Sequence, residues 1–164
     1  MPSPLTPLQQ DLVAEFGNIY EGYGLNRLKG LILGLLMTQD APVSLDDMKD
    51  LLGRSKGALS GAVRELVPIG LIRKVDGPNT RRDYYVLDGE VFLNNFKFNM
   101  ATVRKNRRTA EQFAKEMESE DADTYAGTLD RLEQMEAFYR LMETFYEDFA
   151  TRWQAERAEH IAST

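Results

Sequence analysis

Residues 44–87 read SLDDMKDLLGRSKGALSGAVRELVPIGLIRKVDGPNTRRDYYVL, and the spacing within this stretch decides the fold. Leu45, Met48, Leu51 and Leu52 recur at helical spacing, and Ser44 with Asp47 three residues on gives a weak form of the capping box. Gly53 suits the left-handed residue that closes a helix, and Ser55 caps the next one almost at once. That next helix, about Lys56 to Val67, turns Leu59, Val63 and Leu66 inward and Lys56, Gly57, Ser60, Gly61 and Arg64 outward. Two short helices joined around a glycine make a helix-turn-helix. Glycines inside a helix cost propensity, so Gly57 and Gly61 imply a close approach, either to the preceding helix or to a DNA groove. Pro68 and Gly70 stop the helix. Leu71 to Val75 and Asp83 to Leu87 then read as paired strands around Asp76-Gly-Pro-Asn-Thr-Arg-Arg82, a turn-rich loop with a basic tip. A basic hairpin straight after a helix-turn-helix is a wing.

Upstream, Leu8, Leu12, Val13, Phe16 and Ile19 mark one face of a helix over Leu8 to Tyr20, which Gly22 and Gly24 break. A second helix is expected from about Asn26 to Thr38, with Gly30 and Gly34 on one side to permit close packing in a soluble core. Asp40-Ala-Pro-Val reads as a turn. Downstream, Phe92, Phe96, Met100 and Val103 predict a helix from Glu90 to about Met117, and Ser119 to Asp123 is a polar break. A long helix is then expected from about Thr124 to His160. In it Leu132, Met135, Tyr139, Met142, Tyr146, Phe149 and Trp153 recur at spacings of three and four, a heptad seam read as the dimerisation face. Phe138, Leu141 and Phe145 form a second stripe beside the seam. So wide an apolar face must bury two sides, one against its own domain and one against a symmetry mate. The expected fold is mostly α with a small β-hairpin wing: a winged helix-turn-helix domain over 8–88 and a helical dimerisation region over 90–162.

The chain has 164 residues, no cysteine and His160 as its sole histidine. Disulfides and thiolate metal sites are therefore excluded, no cofactor is expected, and catalysis by histidine is disfavoured. No nucleophile elbow or phosphate-binding loop is present, so an enzyme is not expected. No run reaches the roughly 20 apolar residues of a membrane span. Met1 to Pro7 lacks the basic and apolar regions of a secretory signal, which leaves a cytoplasmic location as the expectation. The net charge of −6 argues against a polyanionic partner until its distribution is examined. Between Arg54 and Arg82 seven basic residues face two acids, whereas from Thr109 onward five basic residues face fourteen acids. Cationic charge is gathered in the helix-turn-helix and wing.

Tyr23-Gly-Leu-Asn-Arg27, Gly30, Gly34-Leu-Leu36, Pro42-Val-Ser-Leu-Asp46, Ser55-Lys-Gly57, Ser60, Arg64-Glu-Leu66, Gly70-Leu-Ile72 and Arg82-Asp-Tyr-Tyr85 together resemble the MarR superfamily of winged-helix regulators, most closely its GbsR-like branch. The resemblance covers about Phe16 to Leu87. It implies a homodimer joined through terminal helices, a recognition helix in the major groove of double-stranded DNA, and control of transcription, in some relatives tuned by a small molecule. On that reading Lys56, Ser60 and Arg64, with Gly57 between them, lie nearest the base edges of a near-palindromic operator. Arg54 and Ser55 hold phosphate at the helix start, and Asn79, Thr80, Arg81 and Arg82 reach the backbone or minor groove from the wing. Tyr20, Tyr23 and Phe96 are the aromatic candidates for a cationic effector. The alternative is a winged-helix module that binds protein through the heptad helix and leaves DNA alone.

Overall fold

The computed structural model describes residues 2–22 and 26–163. In chain order its elements are α1 (Pro7–Gly22), α2 (Arg27–Met37), β1 (Val43–Ser44), α3 (Leu45–Leu52), α4 (Lys56–Leu66), β2 (Ile72–Val75), β3 (Tyr84–Leu87), α5 (Val91–Asp121) and α6 (Ala126–Ala162). The chain divides into two compact units, Met1–Asn94 and Asn95–Thr164. Among the described residues no helix is long and apolar enough to cross a membrane.

The first unit is built around α2, whose residues from Gly30 to Leu36 are all buried. Asn26 starts the helix by accepting the Leu28 N–H at 2.8 Å. Gly30 and Gly34 let α1 lie directly on it. A Cβ at Gly30 would sit 2.3 Å from the Phe16 carbonyl oxygen, and one at Gly34 would sit 2.9 Å from the Val13 Cα. Leucines, isoleucines and valines on either side of this contact close the core, with Ile32, Leu33, Leu35, Met48, Leu59, Leu66, Leu71 and Ile72 almost wholly removed from water. Each such aliphatic side chain stabilises the fold by roughly 1.5–3 kcal/mol through burial. Tyr20 ends the α1 stripe in the same core, where burial pushes its phenol up to about 12.

Both halves of the Ser44 capping box form. The hydroxyl accepts the Asp47 N–H at 3.2 Å, and the Asp47 carboxylate accepts the Ser44 N–H at 2.9 Å. Gly53 ends α3 at φ 62°, a conformation that residues with a Cβ rarely adopt, and so aims the chain into α4. The β2–β3 hairpin is antiparallel with Ile72 opposite Leu87 and Val75 opposite Tyr84. It belongs to a three-stranded sheet in the order β1-β3-β2. The third strand is an addition to the sequence reading, which took Asp40 to Val43 as a turn. Two residues are too short to show alternation, and Val43–Ser44 is extended because it pairs with the free edge of β3 at Tyr85 and Tyr84.

The second unit is an antiparallel helical hairpin. Its polar break falls later than the composition suggests: Ser119, Glu120 and Asp121 stay helical, and the Ser119 hydroxyl donates back to the Glu116 carbonyl at 2.8 Å. Asp121 organises the turn by accepting from the Thr124 hydroxyl and N–H, which hold its carboxyl below the ordinary range. Arg104 of α5 donates to Glu143 and Glu147 of α6, both at 2.8 Å, and Arg107 donates to Glu143 at 2.8 Å and pairs with Glu111. The hydrogen bonds from Arg107 and Arg104 keep the Glu143 carboxyl below its ordinary range. Two of the four basic residues at 104–108 are thus committed to tying the two helices together.

Candidate nucleic-acid interface

α4 is fixed at its start by Ser55, whose hydroxyl accepts the Ala58 N–H at 3.3 Å, and along its inner face by buried Leu59, Ala62, Val63 and Leu66. Those two constraints leave Gly57, Ser60, Gly61 and Arg64 as one outward stripe at spacings of three, one and three. Gly57 and Arg64 are exposed and Ser60 and Gly61 half-buried. A Cβ built at Gly57 or Gly61 meets no atom within 4 Å. The preceding helix therefore does not require either glycine. Arg64 lies along this stripe, its Nε donating to the Ser60 carbonyl at 3.2 Å. Arg54 is exposed on the approach to the helix.

The wing presents Pro78 to Asp83 to solvent. Its shape comes from Asn79, whose side-chain oxygen accepts the Arg81 N–H at 2.9 Å and whose carbonyl accepts the Arg82 N–H at 3.0 Å. Asn79 thus builds the loop that displays Thr80, Arg81 and Arg82. At the base of the loop Lys74 pairs with Asp83 at 2.7 Å, an ion pair that raises the lysine above its ordinary range.

One residue of this surface has no role assigned from the sequence. Asp46, in the first turn of α3, accepts from Lys56 Nζ at 2.8 Å and lies 3.8 Å from Arg82 Nε. The Lys56 hydrogen bond, followed by the charges of Lys56, Arg82 and Lys49, holds its carboxyl below the usual carboxylate range. A single acid therefore links the start of α4 to the wing. No local pattern could have exposed it: an acid in a first helical turn is ordinary, and its partners lie ten and thirty-six residues away. Exposed pairs of this kind are weak, so the carboxylate does not hold Lys56 or Arg82 firmly.

The residues assigned to dimerisation and to an effector fall elsewhere. Tyr146 of the heptad seam stacks on Phe96 of α5 with ring centroids 4.3 Å apart, and Phe149 packs on the same ring at 4.6 Å. Leu132, Met135, Tyr139, Met142 and Trp153 are half-buried. The second stripe is the open one, with Phe138, Leu141 and Phe145 exposed. Phe96 is taken up by these ring contacts, Tyr20 is a core residue of the first unit, and Tyr23 lies outside the described residues.

Two capped helices around a left-handed glycine, followed by an antiparallel hairpin with a basic loop, define a winged helix-turn-helix protein. No family model matches the chain. It is 24% identical over 103 residues to the HTH-type transcriptional repressor OpcR of Bacillus subtilis (strain 168), a match covering 60% of this chain and 56% of the repressor. It is also 24% identical over 121 residues to the putative HTH-type transcriptional regulator YvaV of the same organism, covering 70% of this chain and 68% of that one. The crystal structure of a transcriptional regulator, 23% identical, superposes with a TM-score of 0.77 over 91% of this chain and 99% of its own. That likeness establishes the fold. The chain thus spans a little over half of OpcR, and the relatives it matches are transcriptional regulators rather than enzymes.

Proposed function

We propose that this protein is a sequence-specific, DNA-binding transcription regulator of the GbsR-like kind, acting as a homodimer. The observation that carries the reading is the outward stripe of α4. Two glycines against which none of the described residues packs sit on it beside Ser60 and Arg64, with Lys56 at the capped helix start. A helix stripped of side-chain bulk on one face and rimmed with cations matches the major groove, where base edges are read only if the helix backbone comes close. Unpaired amides at the start of α4 and the arginines of the wing would hold phosphates on either side. The similarity to OpcR and YvaV supports the same conclusion.

The sequence-local concentration of cations explains how a chain with net charge −6 would approach a polyanion. Over a Debye length of about 8 Å at physiological salt, nearby cations outweigh acids placed farther off. In the dimer, two copies of α4 would meet half-sites about 10 base pairs apart, so the operator is near-palindromic.

Selection of duplexes from a random pool, followed by gel-shift titration, tests this directly. Enrichment of an inverted repeat is expected. Lys56→Ala and Arg64→Ala should each weaken binding to the selected site by roughly ten- to a hundredfold while leaving random DNA nearly unaffected. An equal loss on both DNAs reassigns these residues to phosphate contact. A protein that neither enriches any duplex nor binds heparin is a protein-binding module.

A further inference from the structure

The first twenty residues of α5, Val91 to Ala110, hold five cations and no acid in a chain whose net charge is −6. Arg104 and Arg107 are turned toward Glu143 of α6. Lys97, Lys105 and Arg108 are exposed and form no ion pair among the described residues. With Ala101 and Gln112 they recur at spacings of four, four, three and four, so one exposed stripe runs about 22 Å along the helix. It lies away from the face of α5 that buries Val103 and Ala110. Arg104, Lys105, Arg108, Thr109 and Gln112 rim a shallow hollow of about 420 Å³ over Ala101. Glu111, the first acid of the helix, pairs with Arg107, and Glu116 closes the stripe by accepting from Gln112 at 2.8 Å.

We infer that this stripe is a second phosphate-holding surface, separate from α4 and the wing, and that it takes the backbone of duplex DNA beyond the segment α4 reads. Arg108 stands one turn from Arg104, and like charges at that spacing destabilise a helix, so its charge is no device for holding α5 together. A duplex carries one negative charge about every 1.7 Å of its axis. An extended row of cations therefore meets phosphates along its whole length, which a compact anion does not offer. A protein partner would need a large apolar anchor near the centre of the surface, and the apolar residue of the stripe is Ala101. Backbone contact asks only for cations and hydrogen-bond donors. This inference rests on the DNA-binding reading of the proposed function and adds a surface which that reading does not use.

Anisotropy titrations at several salt concentrations test it with two duplexes: the selected operator, and the same operator extended at each end by about 10 base pairs of arbitrary sequence. The unsubstituted chain should bind the longer duplex about tenfold more tightly at low salt, with a salt dependence steeper by about two units. Lys105→Ala combined with Arg108→Ala should bind the short operator as the parent does, which also shows that the variant is folded, and should gain nothing from the longer one. A parent that gains nothing from the extension, or a variant that gains as much as the parent, overturns the inference and leaves the functional reading standing. A parent that binds neither duplex overturns both. Fluorescein-labelled polyglutamate, titrated alongside, covers the remaining occupant. Its uptake by the parent and loss in the variant, with both duplexes bound equally, assigns the stripe to an acidic protein and overturns the inference as well.

Discussion

Gly30→Val is expected to lower the thermal unfolding midpoint of the first unit by about 15 °C. At Gly30 a Cβ would lie 2.3 Å from the Phe16 carbonyl oxygen and 2.9 Å from the Gly17 Cα. Both obstacles are backbone, so no rotamer change relieves them and α1 must move away from α2. Overpacking a tight core contact costs typically 1–3 kcal/mol, and a clash with main chain belongs at or above the top of that range. For a unit of this size each kcal/mol moves the midpoint by about 4–8 °C. Circular dichroism melts of the two proteins measure the difference. A midpoint within 2 °C of the parent would mean that the α1–α2 contact is looser than described.

Arg81→Ala combined with Arg82→Ala carries the largest expected effect on DNA affinity. Asn79 fixes the loop through the Arg81 and Arg82 amides, which these substitutions leave in place, so the wing keeps its shape and loses its charge. Each phosphate contact removed should flatten the dependence of log affinity on log salt by about one. The double variant should therefore lose about two units of slope and bind both selected and random duplexes roughly a hundredfold more weakly at low salt. This uniform loss is the counterpart of the site-selective loss expected for Lys56 and Arg64. The slope, read from titrations at several salt concentrations, is the deciding quantity. A parental slope would remove the wing from the interface, whatever the affinity.

Much of the first unit is legible in the sequence because its instructions are local. Ser44, Asp47, Gly53 and Ser55 specify where α3 and α4 begin and end, and the structure realises each of them as a cap. The apolar spacing of α4 likewise fixes which face turns inward. What escaped the sequence depends on distant partners. β1 is two residues long and exists through its bonds to β3. Asp46 acquires significance only when the fold brings Lys56 and Arg82 to it. In α6 both stripes have helical spacing, and periodicity alone cannot say which one α5 will take. The ring stacking of Phe96 on Tyr146 resolves that choice in favour of the heptad seam and leaves Phe138, Leu141 and Phe145 in solvent. The charge asymmetry is legible, but its local pairing is not. Arg104 and Arg107 meet Glu143, 39 and 36 residues away, only in the fold.

Close docking of the α4 backbone on a duplex is the claim on which the functional reading depends, and Gly61→Ala together with Gly57→Ala tests it most directly. Neither methyl meets an atom of the described residues, and each alanine is favoured over glycine inside a helix by about 0.8–1 kcal/mol, so the variant should unfold at a midpoint roughly 6–16 °C higher. The same methyls would stand between α4 and the groove. Fluorescence anisotropy with the selected operator should therefore report a dissociation constant at least roughly tenfold larger, about 1.4 kcal/mol of binding. A more stable protein that binds its operator as tightly as the parent would contradict the claim.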